Sequence, residues 1–256
     1  MSPEMIALYG TLLAGVATGL GAIPIYFKKE FSKKSLDVGL GFSAGIMLVA
    51  SFVSLIIPGI DKAQKILSPH LALFVVLLSL LVGYLFIIFI HEYLPHEHVY
   101  KNKDMRHDKN LSRMTLIVLA ISLHNFPEGL AVGVGFGAGS SSEGLVLALA
   151  IALQNMPEGL VVAIGLLGEG ATKNRAFMMA FLSGLVEPVA AALGYFTTDI
   201  SRYSLPVALG FAGGTMLFVI CQEMLPELFR QGHEKNATLG VITGVILMLA
   251  INYYPI

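Results

Sequence analysis

Two closely similar stretches, thirty residues apart, lie within long apolar runs of the chain. The first is Leu123-His124-Asn125-Phe126-Pro127-Glu128-Gly129-Leu130, and the second is Leu153-Gln154-Asn155-Met156-Pro157-Glu158-Gly159-Leu160. Carboxylate, imidazole, amide and proline groups are all costly in the hydrocarbon of a membrane. Because the same costly set occurs twice at matching depth, the pattern predicts one shared polar site, which we interpret as a metal-ion site in the middle of a transporter.

The composition is that of a membrane protein. Of the 256 residues, 55% are hydrophobic and 13% are charged, and the mean hydropathy is +0.77, whereas a soluble domain carries about 25% charged residues. The net charge of −1 gives no basic field for nucleic acid. Cys221 is the single cysteine, which excludes a disulfide within the chain.

Eight segments are long and apolar enough to cross a bilayer as helices, which takes about 20 residues. The predicted spans are Met5–Phe27, Val38–Ile57, Leu71–Ile90, Met114–Phe136, Leu145–Leu167, Arg175–Phe196, Pro206–Leu225 and Ala237–Tyr254. The connections between them are short, so we expect residues 1–256 to form a single all-α, polytopic transmembrane domain. Residues 91–113 form a connection that contains several histidines, and we expect it to be cytoplasmic.

Lysine and arginine are distributed unevenly between the two sides of the predicted bundle. One set of alternate connections holds thirteen of the 16 basic residues, which are Lys28, Lys29, Lys33, Lys34, Lys101, Lys103, Arg106, Lys109, Arg113, Lys173, Arg175, Arg230 and Lys235. Because basic loops are retained in the cytoplasm, we predict a multi-pass protein of the plasma (inner) membrane. Both termini should then be extracellular or periplasmic.

A weaker internal match relates the second and seventh spans. Residues 41–49, GFSAGIMLV, and residues 210–218, GFAGGTMLF, are identical at five of nine positions. The two spans cross in opposite directions, as do spans four and five. We therefore expect an inverted repeat in which spans one to three correspond to spans six to eight and spans four and five pair at the centre. The alternative is a bundle of eight unrelated helices in which glycine and methionine recur for packing.

The repeated motif places its polar side chains on one side of each helix, because residues three or four apart face the same way. The side chains concerned are His124, Asn125 and Glu128 in span four and Gln154, Asn155 and Glu158 in span five. Both helices should therefore contribute to the same polar site.

Three carboxylates, those of Glu128, Glu158 and Glu187, are predicted at mid-membrane depth. Each costs about 2.5–3.5 kcal/mol there without compensation, and no lysine or arginine lies at similar depth. A divalent cation or protons must therefore neutralise them. Imidazole, carboxylate and amide groups together suit Zn²⁺, Fe²⁺, Mn²⁺, Co²⁺ or Cd²⁺. The alternative, protonated packing residues, explains one such glutamate more readily than two matched motifs.

Other residues are weaker candidates for metal binding. Met47 is a candidate soft ligand, although a methionine in a span is more often a core residue. Gln222 and Glu223 lie near the inner end of span seven, where they either line an exit or are interfacial polar residues. The connection 91–113 either binds metal loosely or is a hydrated polar loop. Its histidines are His91, His96, His98 and His107.

The two motifs resemble the signature of the ZIP (Zrt/Irt-like) family of divalent metal transporters, and most closely its prokaryotic GufA-like branch. The residues that match are His124-Asn125-x-Pro127-Glu128-Gly129 and Gln154-Asn155-x-Pro157-Glu158-Gly159. The resemblance covers essentially the whole chain, including the eight spans, the histidine-containing connection and the Glu187-Pro188 pair of span six.

The resemblance implies that Zn²⁺ or a related divalent cation is carried toward the cytoplasm as substrate, through a binuclear centre. One metal position would use His124, Glu128, Gln154 and Glu158, with Met47, and the other would use Asn125, Asn155, Glu187 and the same two bridging glutamates. The resemblance also implies a homodimer, and a movement of spans one, four, five and six, the bundle, against spans two, three, seven and eight, the scaffold. No organic cofactor is expected, and the partners are metal ions and the lipid bilayer.

The chain departs from the family pattern in its second motif. Many members have histidine at the position of Gln154, and some have aspartate at that of Asn155.

Two other functions are open at this point. A membrane-embedded metalloenzyme would use carboxylate-bridged metals to activate water, although the chain lacks His-Glu-x-x-His. A metal-sensing receptor would bind the ion without passing it. We expect a transporter and not an enzyme.

Overall fold

The computed structural model describes residues 3–28, 30–93, 113–138, 141–198, 200–229 and 232–254. Regular structure in these ranges is helical, and no β-strand occurs in them. The α-helices are α1 (Pro3–Ala22), α2 (Lys33–Val49), α3 (Ile57–Gln64), α4 (Pro69–Tyr93), α5 (Arg113–Gly137), α6 (Ser141–Gly168), α7 (Lys173–Gly184), α8 (Val186–Thr198), α9 (Ser204–Val219), α10 (Leu225–Leu228) and α11 (Glu234–Tyr253). The predicted all-α class is confirmed.

Within the described ranges, eight helical segments are long and apolar enough to cross a membrane. Numbered one to eight, these spans are Met5–Tyr26, Lys33–Gln64, Pro69–Ile90, Ile117–Gly137, Ser141–Gly168, Lys173–Thr198, Ser204–Leu228 and Glu234–Tyr253. The chain is an integral, multi-pass membrane protein, as predicted. Span two extends beyond its predicted bounds at both ends, because its last turns are only weakly apolar. Most of the connection 91–113 lies outside the described residues, and its role stays a prediction, as does a single domain over 1–256.

Spans two and seven each contain a segment of π-helix, which hydropathy does not predict. Ala50–Ile56 separates α2 from α3, and Ile220–Met224 separates α9 from α10. A π-helix widens the helical turn locally and is frequent at functional sites. The two segments directly follow the two stretches that match in sequence, 41–49 and 210–218, so the irregularity occurs at corresponding places.

Span six is interrupted at Leu185, between α7 and α8. Pro188 has no N–H, so the carbonyl of Gly184 loses its usual helical partner at this point. Glu187 consequently lies in the first turn of α8, where the helix dipole favours a negative charge. By contrast, α5 and α6 continue through their internal prolines.

The spans pack chiefly in four pairs. The most extensive contacts join span two with eight, span three with seven, span one with five, and span four with six. An inverted repeat that relates spans one to three with six to eight would exchange the first pair with the second and the third with the fourth. The observed pairing is therefore the one that the predicted repeat requires.

Close helix contacts follow the same correspondence. Gly45 and Gly214 occupy matching positions of the two similar stretches. A Cβ on Gly45 would overlap the Val241 carbonyl of span eight, and a Cβ on Gly214 would overlap the Leu80 carbonyl of span three. The inverted repeat itself stays a prediction, because packing partners alone do not establish that two halves of a backbone superpose.

Spans three and eight present the most apolar surface to the outside. Phe74, Phe89, Leu239 and Ile246 are each more than half exposed, as expected for side chains that contact lipid. Most of the buried polar residues instead belong to spans one, two, four, five and six, which also carry the predicted site.

Candidate metal centre

The two repeated motifs lie against each other in the interior of the bundle. His124, Glu128 and Glu158 each place one ligand atom within 4.8 Å of the others. Glu128 is fully buried and Glu158 is 8% exposed. The Nε2 atom of His124 is 3.9 Å from Oε2 of Glu158. Spans four and five thus contribute one imidazole and two carboxylates to one small volume.

Gln154 contacts the Glu128 carboxylate across the interface of spans four and five. Its Nε2 atom donates a hydrogen bond to Oε1 of Glu128 at 2.8 Å. The Gln154 backbone carbonyl in turn accepts a hydrogen bond of 2.7 Å from the Ser43 hydroxyl of span two. All three residues are fully buried. The amide therefore holds one oxygen of Glu128 and leaves the other facing the site.

Asn155 makes the equivalent contact with Glu187 of span six. Its Nδ2 atom donates to Oε1 of Glu187 at 2.7 Å and to the backbone carbonyl of Ala14 at 3.0 Å. The Thr18 hydroxyl donates to the same Glu187 oxygen at 3.4 Å. Span one therefore contributes to the site, through a carbonyl and a hydroxyl that no sequence motif indicated.

Several buried polar atoms of this region have no hydrogen-bond partner in the described part of the chain. Most of them are acceptors, namely Glu128 Oε2, Gln154 Oε1, Asn155 Oδ1, Glu158 Oε1 and Glu187 Oε2, and one donor, Asn125 Nδ2, accompanies them. None of the three carboxylates forms an ion pair with a lysine or arginine of the described residues. Unpartnered buried oxygens that converge are costly, and a cation satisfies several of them at once. The residues present therefore fit a divalent metal ion.

His124 is oriented by Glu223 of span seven. Its Nδ1 atom lies 3.1 Å from Oε2 of Glu223. A carboxylate oxygen accepts, so Nδ1 carries the hydrogen of this bond and Nε2, which faces Glu158, keeps its lone pair. Ligating histidines are commonly held in this way by a carboxylate on the opposite ring nitrogen. Glu223 thus contacts the site through His124.

Two glycines of the motifs allow the helices to approach closely enough for these contacts. A Cβ on Gly129 would overlap the backbone of Glu187, and a Cβ on Gly159 would overlap the backbone of Thr18. The glycine of each motif therefore packs against a helix that carries another polar side chain of the site, Glu187 in span six or Thr18 in span one.

A cavity of about 110 Å³ reaches the site from one end of the bundle. It extends from His124 and Glu158 past Glu223 to Leu40 and Glu227, on the side where spans two and four begin and span seven ends. A second cavity, of about 250 Å³, lies at the opposite end, and none of the predicted metal ligands is among its lining residues. The first cavity therefore connects His124 and Glu158 with the end of the bundle at which span seven ends.

Two of the weaker candidates differ in burial. Met47 is fully buried in the hydrophobic core with Ile46 and Met216, and Gln222 is exposed. As metal ligands, both stay predictions. The histidine side chains of the connection 91–113 lie outside the described residues.

Sequence reasoning did not identify Ser43, Thr18 or the Ala14 carbonyl. A serine or threonine in a span does not by itself indicate a functional role, and a backbone carbonyl has no sequence signal at all. The available indication was the spacing Gly15-x-x-Thr18 in span one, which matches Gly184-x-x-Glu187 in span six.

Comparison with known proteins identifies the family of the chain. The sequence model of the family described as ZIP Zinc transporter matches residues 96–252. The chain is 43% identical over 247 residues to the zinc transporter GufA of Myxococcus xanthus, covering 96% of this chain and 97% of that protein. It is 40% identical over 247 residues to the zinc transporter ZIPB of Bordetella bronchiseptica, covering 96% and 80%.

The chain belongs to the ZIP zinc transporter family. Its similarity to GufA supports the GufA-like branch that the two motifs indicated. The zinc transporter ZupT of Clostridium perfringens is a more distant ZIP relative, with 34% identity over 272 residues and coverage of 97% of this chain and 95% of that protein. The family similarity therefore extends over nearly the whole chain.

The contact between Glu223 and His124 makes a testable prediction about metal affinity. Glu223→Met removes the acceptor at similar volume, so the imidazole loses its orientation and Zn²⁺ affinity should fall about ten-fold. Glu223→Gln should retain most of the affinity, because an amide oxygen still accepts from Nδ1. Equilibrium zinc titration of the purified protein measures both. A matched control is Glu227→Met, which changes a carboxylate of the same cavity. An equal loss in that variant would mean that the charge of the cavity, and not the His124 contact, sets the affinity.

Proposed function

We propose that this protein is a zinc transporter whose substrate passes through a centre formed by spans four, five and six. The observation that carries the proposal is the cluster of buried, unpartnered oxygens around Glu128 and Glu158, beside the ring nitrogen of His124. Such a donor set binds a borderline divalent cation. Zinc is also the ion in the names of the relatives. Fe²⁺, Mn²⁺, Co²⁺ and Cd²⁺ are proposed as further substrates.

The centre is proposed to hold two metal positions that share Glu128 and Glu158. The first position adds His124 and Gln154, and the second adds Asn125, Asn155 and Glu187. Three carboxylates leave one unit of net charge whether one or two divalent cations are bound, so the charge of the centre is compatible with two positions. Met47 is a candidate soft ligand of the first position.

The cation is proposed to leave toward the cytoplasm. The cavity that reaches His124 and Glu158 extends to the end of the bundle at which span two begins, which is the side to which the sequence assigns thirteen of the 16 basic residues. Basic connections are retained on the cytoplasmic side. We therefore infer an inward-facing conformation, a location in the plasma (inner) membrane, and both termini outside.

The outer side is proposed to be closed in this conformation by contacts between the scaffold and the bundle. The Lys62 amine, at the outer end of span two, donates to the Ala138 carbonyl beyond the end of α5 at 3.0 Å. Ser43 and Gln154 form a second bridge between spans two and five, near the site. Movement of spans one, four, five and six against the scaffold must break both contacts. A homodimer built on the scaffold is a further proposal, which chemical crosslinking in membranes tests.

The proposed mechanism depends on ligands that bind the cation with moderate strength. His124 presents Nε2, and the carboxylates present one oxygen each, because amide N–H groups occupy the other oxygen of Glu128 and of Glu187. Gln154 and Asn155 add neutral oxygens, which bind Zn²⁺ more weakly than imidazole or thiolate does. These ligands thus compensate the cost of dehydrating the cation without binding it too tightly for release. Water and the Glu227 carboxylate in the inner cavity can then accept the cation.

Metal flux into liposomes that contain only the purified protein tests this function. Wild-type protein should carry Zn²⁺ down its gradient. Glu158→Ala should abolish the flux, because it removes a ligand common to both proposed positions, while the protein still folds and inserts. Glu169→Ala, one residue beyond the end of α6, is the control and should transport normally. Near-normal uptake by the Glu158 variant at equal density would refute the shared site.

The same experiment separates the other two functions. A metal-sensing receptor would bind Zn²⁺ and show no flux above that of empty liposomes. A membrane-embedded metalloenzyme would show no flux either, and would hydrolyse a substrate only with metal bound. Sustained uptake by wild-type protein excludes both as the main activity.

The proposed orientation predicts opposite accessibility of two connections. In a Cys221→Ser background, cysteine introduced at Asn102 should react with a membrane-impermeant thiol reagent only after the cells are opened. Cysteine introduced at Ser141 should react in intact cells, because it lies at the opposite end of the bundle. Reaction of both positions from outside would contradict the orientation.

Gln154 is predicted to set metal selectivity. Gln154→His replaces a neutral oxygen with imidazole nitrogen, which Zn²⁺ prefers more strongly than Mn²⁺ does. The variant should therefore favour Zn²⁺ over Mn²⁺ by about ten-fold more than wild type, and its maximal flux should fall because release slows. Competitive uptake of the two ions measures this. An unchanged ratio would mean that Gln154 does not contact the metal.

A further inference from the structure

The hydroxyl of Thr18 is directed differently from most others in the bundle. Buried hydroxyls such as those of Thr11 and Thr215 donate to a carbonyl three residues earlier in their own helix, as is usual for threonine in helices. Thr18, which is 1% exposed, donates instead across the helix interface to Oε1 of Glu187. The Ala14 carbonyl, four residues before Thr18, accepts from Asn155.

The contact adds a second donor to the Glu187 oxygen that Asn155 already holds. Oε1 accepts from both Asn155 and Thr18, at 2.7 Å and 3.4 Å. Oε2 is buried and has no hydrogen-bond partner in the described part of the chain. A carboxylate with two donors on one oxygen cannot rotate to present both oxygens without losing those bonds. Glu187 is thereby limited to one metal-facing oxygen.

The backbone around Thr18 is held rigidly enough to make this contact specific. Gly159 of span five lies against the Thr18 carbonyl, where a Cβ would overlap it. Gly15 and Gly184 also lie directly against each other, one turn before Thr18 and Glu187 respectively. Spans five and six therefore position span one from two sides, and the hydroxyl is placed by main-chain packing.

We propose that Thr18 is a positioning residue for the second metal position, where it makes Glu187 a one-oxygen ligand and so favours Zn²⁺ over larger, oxygen-seeking cations. The proposal rests on the function proposed above. Zinc is satisfied by four ligands, whereas Mn²⁺ takes octahedral oxygen sites and gains from a carboxylate that supplies two oxygens. Thr18 donates to the carboxylate, so its hydroxyl acts through Glu187 and is not itself a ligand.

The test is the exchange of Thr18 for residues of similar volume. Thr18→Val keeps the shape and removes the hydroxyl, and it should weaken one of two classes of bound zinc about five-fold, which corresponds to about 1 kcal/mol. Thr18→Ser keeps the hydroxyl and should restore the affinity. Thr11→Val, on the same helix face seven residues earlier, removes a hydroxyl that bonds within its own helix and should change neither class. Equilibrium titration of the purified protein with Zn²⁺ and with Mn²⁺ measures affinity without requiring transport.

Selectivity and dependence on Glu187 distinguish positioning from a general structural effect. Thr18→Val should make Mn²⁺ compete with Zn²⁺ about five-fold more effectively. In a Glu187→Gln background the same exchange should have no further effect on this competition, because the two residues act as one unit. If Thr18→Ser is as impaired as Thr18→Val, or if the two effects add fully, the proposal is wrong. Wild-type protein that shows two zinc classes with this pattern but no flux in liposomes would support the positioning role and refute transport.

Discussion

Three glutamates lie in the interior of an apolar helical bundle, and none of them is paired with a lysine or arginine of the described residues. A carboxylate in that environment persists only if hydrogen-bond donors, protons or a cation share its charge. Buried hydrogen-bond donors of the bundle share part of the charge of these carboxylates. Gln154 and Asn155 each give one N–H group to one carboxylate oxygen. Glu128, Glu158 and Glu187 each keep a buried oxygen without a hydrogen-bond partner in the described residues, and the metal ion proposed above would satisfy these oxygens together.

The two amides therefore have a double role that aspartate would not reproduce. Each donates through nitrogen to a neighbouring carboxylate and leaves its own oxygen, Gln154 Oε1 or Asn155 Oδ1, without a hydrogen-bond partner in the described residues. Aspartate at position 155 would add a fourth charge and remove the donor that holds Glu187. Gln154 and Asn155, where the chain departs from the family motif, are thus weaker metal ligands. They also donate the hydrogen bonds that hold Glu128 and Glu187 in place. A transported ion must also be released, and weaker ligands serve that need.

Hydropathy and the repeated motif predict the all-α class, the eight spans and the neighbouring positions of Glu128 and Glu158, because each follows from helical periodicity or from the cost of burying charge. The π-helical segments and the contact of Glu223 with His124 depend on packing between spans distant in sequence, and hydropathy contains no such information. Thr18 was missed for the same reason: its hydroxyl gains significance only because Gly159 and Gly184 bring span one against the site. The break at Leu185 has a local cause in Pro188, but Pro127 and Pro157 do not interrupt their helices, so a proline alone does not predict such a break. The bounds of the spans were predicted to within a few residues, except in span two.

The predicted inverted repeat makes the difference between Thr18 and Glu187 informative. Gly129 lies against the backbone of Glu187 and Gly159 lies against the backbone of Thr18, so exchange of spans four and five makes Thr18 the counterpart of Glu187. A fully symmetric centre would contain four carboxylates and would be neutral only with two divalent ions bound, which would disfavour the departure of either. With threonine at one of the two positions, the three carboxylates stay within one unit of neutrality whether one or two ions are bound. Because large charge imbalance is costly in a low-dielectric interior, this asymmetry would keep the singly and doubly occupied states of the proposed two-metal centre close in free energy, so that ions can pass through it.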